Sequence, residues 1–230
     1  MLDLRCYFVT GRLDAPGVSR GPGASRSVVD IAAAAARGGA GVVQVRSKPV
    51  SARELYTLGD AVSRAVALAN PVTRVLIDDR VDIALALRAD GAPIHGVHLG
   101  QDDVPVRAAR RLLGPDAVIG LTTGTAELVA AANAEAEFID YVGCGPFRAT
   151  PTKESGRPPL GLAGYPDLVA SSRVPLVAIG DVTVDDAAAL AATGVAGLAV
   201  VRGIMNAPDP QGYCAELIRR FEEGRTHGGK

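Results

Sequence analysis

Short apolar runs rich in Val, Ile and Leu alternate along the chain with longer Ala- and Leu-rich stretches whose apolar positions recur at helical spacing. The first kind reads as buried strand and the second as amphipathic helix. Strands are predicted at RCYFVTG (5–11), GVVQVRS (41–47), RVLIDD (74–79), GVHLGQ (96–101), AVIGLTT (117–123), FIDYVGCG (138–145), PLVAIGD (175–181) and GLAVVRG (197–203). Helices are predicted near 27–38, 51–69, 80–89, 105–113, 125–136, 161–171, 183–193 and 208–223. Ser51, Thr125 and Thr183 stand where a side-chain oxygen caps a helix start. Gly39, Gly91 and Gly194 stand where a left-handed residue ends one.

Strands joined by crossover helices lie parallel. Eight such units in 230 residues predict an α/β fold, a single-domain (β/α)8 TIM barrel over 1–230 with a short polar tail at 224–230. The alternative is an open doubly wound sheet, whose nucleotide-binding form carries Gly-x-Gly-x-x-Gly after an early strand. GCGPFR (143–148) lacks the third glycine and leads into a proline-containing loop. Two long loops follow strand C-termini, RLDAPGVSRGPGASR (12–26) and PFRATPTKESGRPPLG (146–161). Barrel enzymes build their sites on that face, so both are predicted to be active-site loops, and either could act as a lid.

Composition narrows the partners. Net charge is −1, which gives no global field toward nucleic acid or membrane, so any anion site must be built locally. The three cysteines, Cys6, Cys144 and Cys214, are widely spaced and include no Cys-x-x-Cys, which fits a reducing compartment. The start, MLDLRCYFVTG, has no basic region followed by a long apolar run, and a cytoplasmic location is expected.

One strand breaks the apolar pattern. In GVVQVRSKP (41–49), Gln44, Arg46 and Lys48 alternate with Val43, Val45 and Ser47, so amide, guanidinium and ammonium share one face. Two adjacent cations repel, and the arrangement makes sense if an anion sits between them. Asp78 and Asp79 end the third strand, and Asp102 and Asp103 follow the fourth. Neighbouring strands lie about 4.8 Å apart, so these carboxylates can share a hard cation, and oxygen-only ligation points to Mg²⁺. The alternative is that they are helix N-terminal acids. Thr150, Pro151, Thr152 and Lys153 in ATPTK add hydroxyls and a third cation after the sixth strand. AIGD and VVRG end the last two strands, where barrels often hold a phosphate on backbone N–H groups. His98 reads as a hydrogen-bonded core residue, Cys144 as an apolar filler, and Arg110 with Arg111 as a solvated helix face.

As a set, QVRSK, DDRVDIA, GVHLGQDD, GLTT, DYVGCGP, TPTK, VAIGD and AVVRGI resemble the thiamine phosphate synthase family in order and spacing, across residues 5–206. The resemblance implies a Mg²⁺-dependent (β/α)8 transferase joining an aminopyrimidine diphosphate to a thiazole phosphate, with release of diphosphate. It places Gln44, Arg46 and Lys48, with Val45 and Ser47 between them, on the pyrimidine diphosphate, and Lys153 on the same group. Asp79 and Asp103 would hold Mg²⁺. Thr150, Pro151 and Thr152, with the backbone near Asp181, Val201 and Arg202, would bind the thiazole phosphate. Arg46, Lys48, Thr122 and Lys153 would stabilise the departing charge. Several positions depart from the family pattern: Asp78 stands where Asn is usual, Thr122 for Ser, Gly124 for His, Ala149 for Pro, Asp181 for Gly and Arg202 for Ser. Two other readings stay open, a thiazole tautomerase-like isomerase and a non-catalytic phosphate-binding regulatory barrel.

Overall fold

In a strand buried on both faces, alternate side chains must all find apolar partners, on one side among the other strands and on the other among helices. The computed structural model, which describes residues 2–11, 26–149, 156 and 158–227, satisfies this by closing the sheet. Strands β1 (Cys6–Val9), β2 (Val42–Val45), β3 (Arg74–Asp78), β4 (Gly96–Leu99), β5 (Val118–Thr123), β6 (Tyr141–Cys144), β7 (Leu176–Ile179) and β8 (Gly197–Val200) follow one another around a parallel barrel. β1 pairs with β8 to complete it. Phe8, Val43, Val45, Ile77, Val97 and Ile119 point outward into the layer shared with the helices. Tyr7, Val9, Val42, Leu76, Tyr141, Val177 and Ala199 form the separate core inside the barrel.

The helices are α1 (Val28–Arg37), α2 (Ala52–Ala69), α3 (Val81–Ala89), α4 (Val106–Leu113), α5 (Ala126–Ala134), α6 (Tyr165–Ser171), α7 (Ala187–Ala192), α8 (Arg202–Met205) and α9 (Pro210–His227). Their ends obey the expected chemistry. Ser51 and Glu54 form a capping box, Thr125 accepts the Leu128 N–H, and Thr183 is boxed with Asp186 before a 3₁₀ turn at Val184–Asp186. Gly39, Gly91 and Gly194 take positive φ angles of 93°, 74° and 90°.

The strands are shorter than predicted: in seven of them the last residues leave the ladder to build the C-terminal face, while β5 keeps its predicted end at Thr123. The eighth strand stops at Val200, and Arg202–Met205 turn into α8 instead of continuing it. A Cβ at Gly203 would lie 2.3 Å from the Tyr213 hydroxyl of α9, so the close seat of this turn depends on glycine. The expected tail at 224–230 is helical through His227, with 228–230 outside the described residues. Arg110 is not a solvated face: only 15% of its side chain is exposed. It donates to the carbonyls of Pro115 (3.0 Å) and Phe138 (3.1 Å) and pairs with Asp140 at 2.8 Å. It thereby satisfies acceptors left over where α4 enters β5 and the chain enters β6.

Inside the barrel, β5 and β6 carry glycines where bulk is excluded. A Cβ on Gly120 would fall 2.1 Å from the Tyr141 ring and 2.6 Å from His98 Nδ1. Gly120→Ala is therefore expected to lose about 1–3 kcal/mol, the usual cost of overpacking. Urea unfolding measures it, and an unchanged midpoint would mean that Tyr141 and His98 can move aside.

Candidate active site

A cavity of about 740 Å³ opens at the C-terminal end of the barrel. Its floor is the interior layer of side chains, and it extends over the ends of β7 and β8 to Asn206 and Tyr213. The end of β2 is held to β1 by Thr10, which is fully buried. Its hydroxyl donates to the Arg46 carbonyl (2.7 Å) and accepts the Arg46 N–H (2.8 Å), while the Thr10 N–H donates to Gln44 O (2.9 Å). One side chain thus adds a rung to the ladder beyond the last strand residue and fixes where Arg46 points.

The expected anion between the cations is present as a protein side chain. Asp78 Oδ2 lies 3.5 Å from Arg46 Nε and 3.5 Å from Lys48 Nζ. Asp78 is buried and sits opposite His98 in the β3–β4 register, so it faces the barrel interior. Asp79 turns the other way, in a left-handed conformation (φ 58°), and pairs with Lys48. Burial would lower the Lys48 ammonium, but Asp79 and Asp78 outweigh it and Arg46 together, and the group titrates above its ordinary value. Asp103 comes within hydrogen-bonding reach of Asp79 and accepts the Gly100 N–H at 2.6 Å. Burial raises Asp103, the Gly100 N–H opposes this, and the Asp79 carboxyl raises it further. Asp102 stays exposed. Among the described residues, no group of three or more His, Cys, Asp or Glu side chains converges as metal ligands; Asp79 and Asp103 form a pair.

Across the floor runs a polar chain. Gln44 Nε2 donates to the Tyr7 hydroxyl (2.9 Å), and the Tyr7 and Tyr141 hydroxyls are 2.6 Å apart. His98 joins Tyr141 through Nδ1 (2.8 Å) and Thr122 through Nε2 (3.0 Å). Burial pushes both phenols well up, so they stay protonated. His98 is hydrogen-bonded as expected, but it lines the cavity instead of hiding in the outer core.

At the far end, Gly180 (φ 110°) and Asp181 (φ 55°) turn the chain after β7. A Cβ on Gly180 would lie 2.6 Å from the Pro146 backbone, because the segment that leaves β6 crosses here. Phe147 N–H donates to Ile179 O (2.8 Å) and Arg148 N–H to Gly180 O (3.0 Å). The Arg202 guanidinium pairs with the Asp181 carboxylate. Arg148 Nη1 donates to Asp186 Oδ2 at 2.7 Å and lies over the Phe147 ring.

Of the residues picked out in the sequence, Gln44, Arg46, Asp78, Thr122, Asp181, Val201 and Arg202 line this one cavity. Lys48, Asp79 and Asp103 stand together at its rim. The Val45 side chain packs in the outer core and Ser47 is buried, so neither points with the ladder. Thr150, Pro151, Thr152 and Lys153 lie outside the described residues, as does most of 12–26. Tyr7, Tyr141 and Thr10 were missed. An aromatic or threonine in a strand looks like core until the register shows which residues face it.

Over residues 6–204 the chain matches the family model described as thiamine monophosphate synthase. The chain belongs to that family. Relatives named thiamine-phosphate synthase from Corynebacterium efficiens and Corynebacterium jeikeium are 62% and 63% identical, covering 97% and 96% of this chain and the same shares of their own. The thiamine phosphate pyrophosphorylase from Pyrococcus furiosus superposes with a TM-score of 0.77 at 30% identity, covering 97% of this chain and 98% of its own. A 3-hexulose-6-phosphate synthase (TM-score 0.58, 19% identity, covering 92% and 98%) shares the fold alone. The family's reaction, a transferase synthesis of thiamine phosphate, is the activity of this chain, and the isomerase and regulatory readings are set aside.

Asp186 ties the segment after β6 to the start of α7. Burial alone would raise its carboxyl, but Arg148 and the Thr183 N–H and hydroxyl hold it below the usual value. A depressed native value means stability that is present at neutral pH and lost as pH falls through that value. Asp186→Asn should lose about 1–2 kcal/mol at neutral pH. The difference from the parent protein should shrink in acid below the ordinary carboxyl range, as read from urea unfolding at both pH values.

Proposed function

We propose that the cavity condenses 4-amino-2-methyl-5-(diphosphooxymethyl)pyrimidine with a thiazole phosphate, releasing diphosphate. One observation carries this reading: just past the end of β2, Arg46 and Lys48 share Asp78, and Lys48 also meets Asp79 of the Asp79–Asp103 pair, beside a cavity roomy enough for two ligands. The diphosphate binds at the Arg46 and Lys48 end, with Gln44 on the floor beneath it, and Lys153 joins it as the family pattern implies. An incoming diphosphate competes with Asp78 and Asp79 for these cations, so the ion pairs seen here are exchanged for ligand contacts. Thr122 supplies a hydroxyl donor beside the same group.

The donor set suits Mg²⁺. Two carboxylates on neighbouring strand ends, close enough to share a hydrogen bond, gain from a cation between them, and Mg²⁺ is commonly bound by one or two carboxylates plus substrate phosphates. Asp79 and Asp103 would hold it, and it would supply charge neutralisation to the departing diphosphate. The chain's own contribution is preorganised positive charge where negative charge develops. Loss of diphosphate is dissociative, leaving a pyrimidine carbocation that the thiazole nitrogen captures, so positioning takes the place of a covalent nucleophile. The thiazole phosphate sits against the backbone near Asp181, Val201 and Arg202, with Thr150, Pro151 and Thr152. Among the described residues no helix is long and apolar enough to cross a membrane, and we place the reaction in the cytoplasm.

Diphosphate release with both substrates present, titrated with Mg²⁺, tests the reading. Asp103→Ala should lose most of the activity with an unchanged thermal melt, because a partly exposed loop carboxylate adds little stability. Full activity at limiting Mg²⁺ would remove Asp103 from the metal site.

The Asp181–Arg202 pair tests the other end. Arg202→Ser leaves the carboxylate uncompensated beside the incoming phosphate and should weaken thiazole phosphate binding by about 1–3 kcal/mol. Asp181→Gly added to it removes both the charge and the left-handed strain and should recover much of that loss. Calorimetric titration of the single and double variants measures it, and no recovery would mean the two side chains are uncoupled in binding.

A further inference from the structure

We propose that His98 is a positioning residue for Thr122: a one-way chain of hydrogen bonds across the barrel floor holds its imidazole as the Nε2–H form, which turns the Thr122 hydroxyl into a donor facing the cavity. The direction follows from counting hydrogens. Gln44 Nε2 can only donate, so it places a hydrogen on the Tyr7 oxygen at 2.9 Å. Tyr7 is buried, and among the described residues its hydroxyl meets only Gln44 Nε2 and the Tyr141 hydroxyl. Its own hydrogen must therefore go to Tyr141, 2.6 Å away. The Tyr141 oxygen has then accepted, and its hydrogen goes to His98 Nδ1 at 2.8 Å. A neutral imidazole accepting at Nδ1 carries its proton on Nε2, which donates to Thr122 Oγ1 at 3.0 Å. With that oxygen occupied by the imidazole hydrogen, the Thr122 hydroxyl hydrogen is left for the cavity it lines.

The surrounding backbone supports this geometry. A Cβ on Gly120 would strike Tyr141 and His98 Nδ1, and one on Gly143 would sit 3.1 Å from His98 Cε1, so two glycines leave the space in which ring and phenol meet. The His98 and Tyr141 rings lie with centroids 5.6 Å apart at an interplanar angle of 29°. Gln44, Tyr7, Tyr141, His98 and Thr122 all line the cavity, and Thr122 is the end of the chain, where a hydroxyl hydrogen is left over for a ligand. His98 therefore acts through Thr122, and the effect on the reaction rests on the role given above to that hydroxyl.

Two measurements test the two halves separately. Protein labelled with the heavy nitrogen isotope at histidine alone carries three imidazoles, His95, His98 and His227, and the His98 signals are assigned by their loss in His98→Ala. Long-range nitrogen–proton correlation on the unsubstituted protein should show a pyridine-like Nδ1 and a pyrrole-like Nε2 at His98. The opposite pattern means that the chain runs from Thr122 toward a flipped Gln44 carbonyl, and it overturns the proposal while leaving the role of Thr122 standing. The second measurement is a kinetic cycle, with a thermal melt on each variant. Thr122→Val should lower kcat about a hundredfold to a thousandfold, the scale for one preorganised donor, and Thr122→Ser, which retains a hydroxyl, should lose far less. His98→Ala should lower kcat at least about tenfold in the unsubstituted protein and change it less than about twofold in Thr122→Val. Equal losses in the two backgrounds would make His98 merely structural and overturn the proposal. An unchanged kcat in Thr122→Val would overturn it together with the role of Thr122.

Discussion

Closure of the sheet is the constraint on which everything else depends. With β1 hydrogen-bonded to β8, no strand has a free edge, and each residue of the barrel faces either the interior or the helical layer. The outer layer takes the β-branched and aliphatic residues. The inner one is too narrow for eight large side chains at one level. It therefore mixes Tyr7 and Tyr141 with Gly120, Gly143 and Ala199, and the polar groups of the floor fill the gaps between them. Polar groups are tolerated there because each donates to the next.

Above that floor the chemistry is set by charge placed on strands. Two consecutive aspartates at the end of β3 do different work because the backbone turns between them. Asp78 continues the strand and points inward to Arg46 and Lys48. Asp79, at φ 58°, points across to Asp103. The extra negative charge at position 78 does not join the carboxylate pair but balances the two cations. At the other end, Arg202 answers the carboxylate of Asp181 in the same manner. Both carboxylates that depart from the family pattern, Asp78 and Asp181, are thus compensated locally by cations within reach.

Much of this was legible along the chain because it depends on period two and on caps. Gln44 and Arg46 share a face as the alternation required, and Ser51, Thr125, Thr183, Gly39, Gly91 and Gly194 mark helix ends as their chemistry demands. What stayed hidden depends on register between distant strands. His98 opposite Gly120, and Gly120 opposite Tyr141, bring an imidazole and a phenol together from residues 43 positions apart. No local pattern encodes that meeting. Arg110 was misjudged for a related reason: its acceptors are carbonyls of other segments, which a helical wheel does not show. The start of α8 was hidden because its apolar residues prolong the strand pattern of β8, while the seat that bends it is the Tyr213 hydroxyl of α9.

Thr10 has a consequence for how variable this fold can be. Its hydroxyl and backbone together close the last rung between β1 and β2, upstream of the connection that leads to α1. Positions 10 and 46 are therefore tied to each other: a residue without a hydroxyl at 10 gives up both bonds to Arg46 at once and frees the backbone that carries the guanidinium.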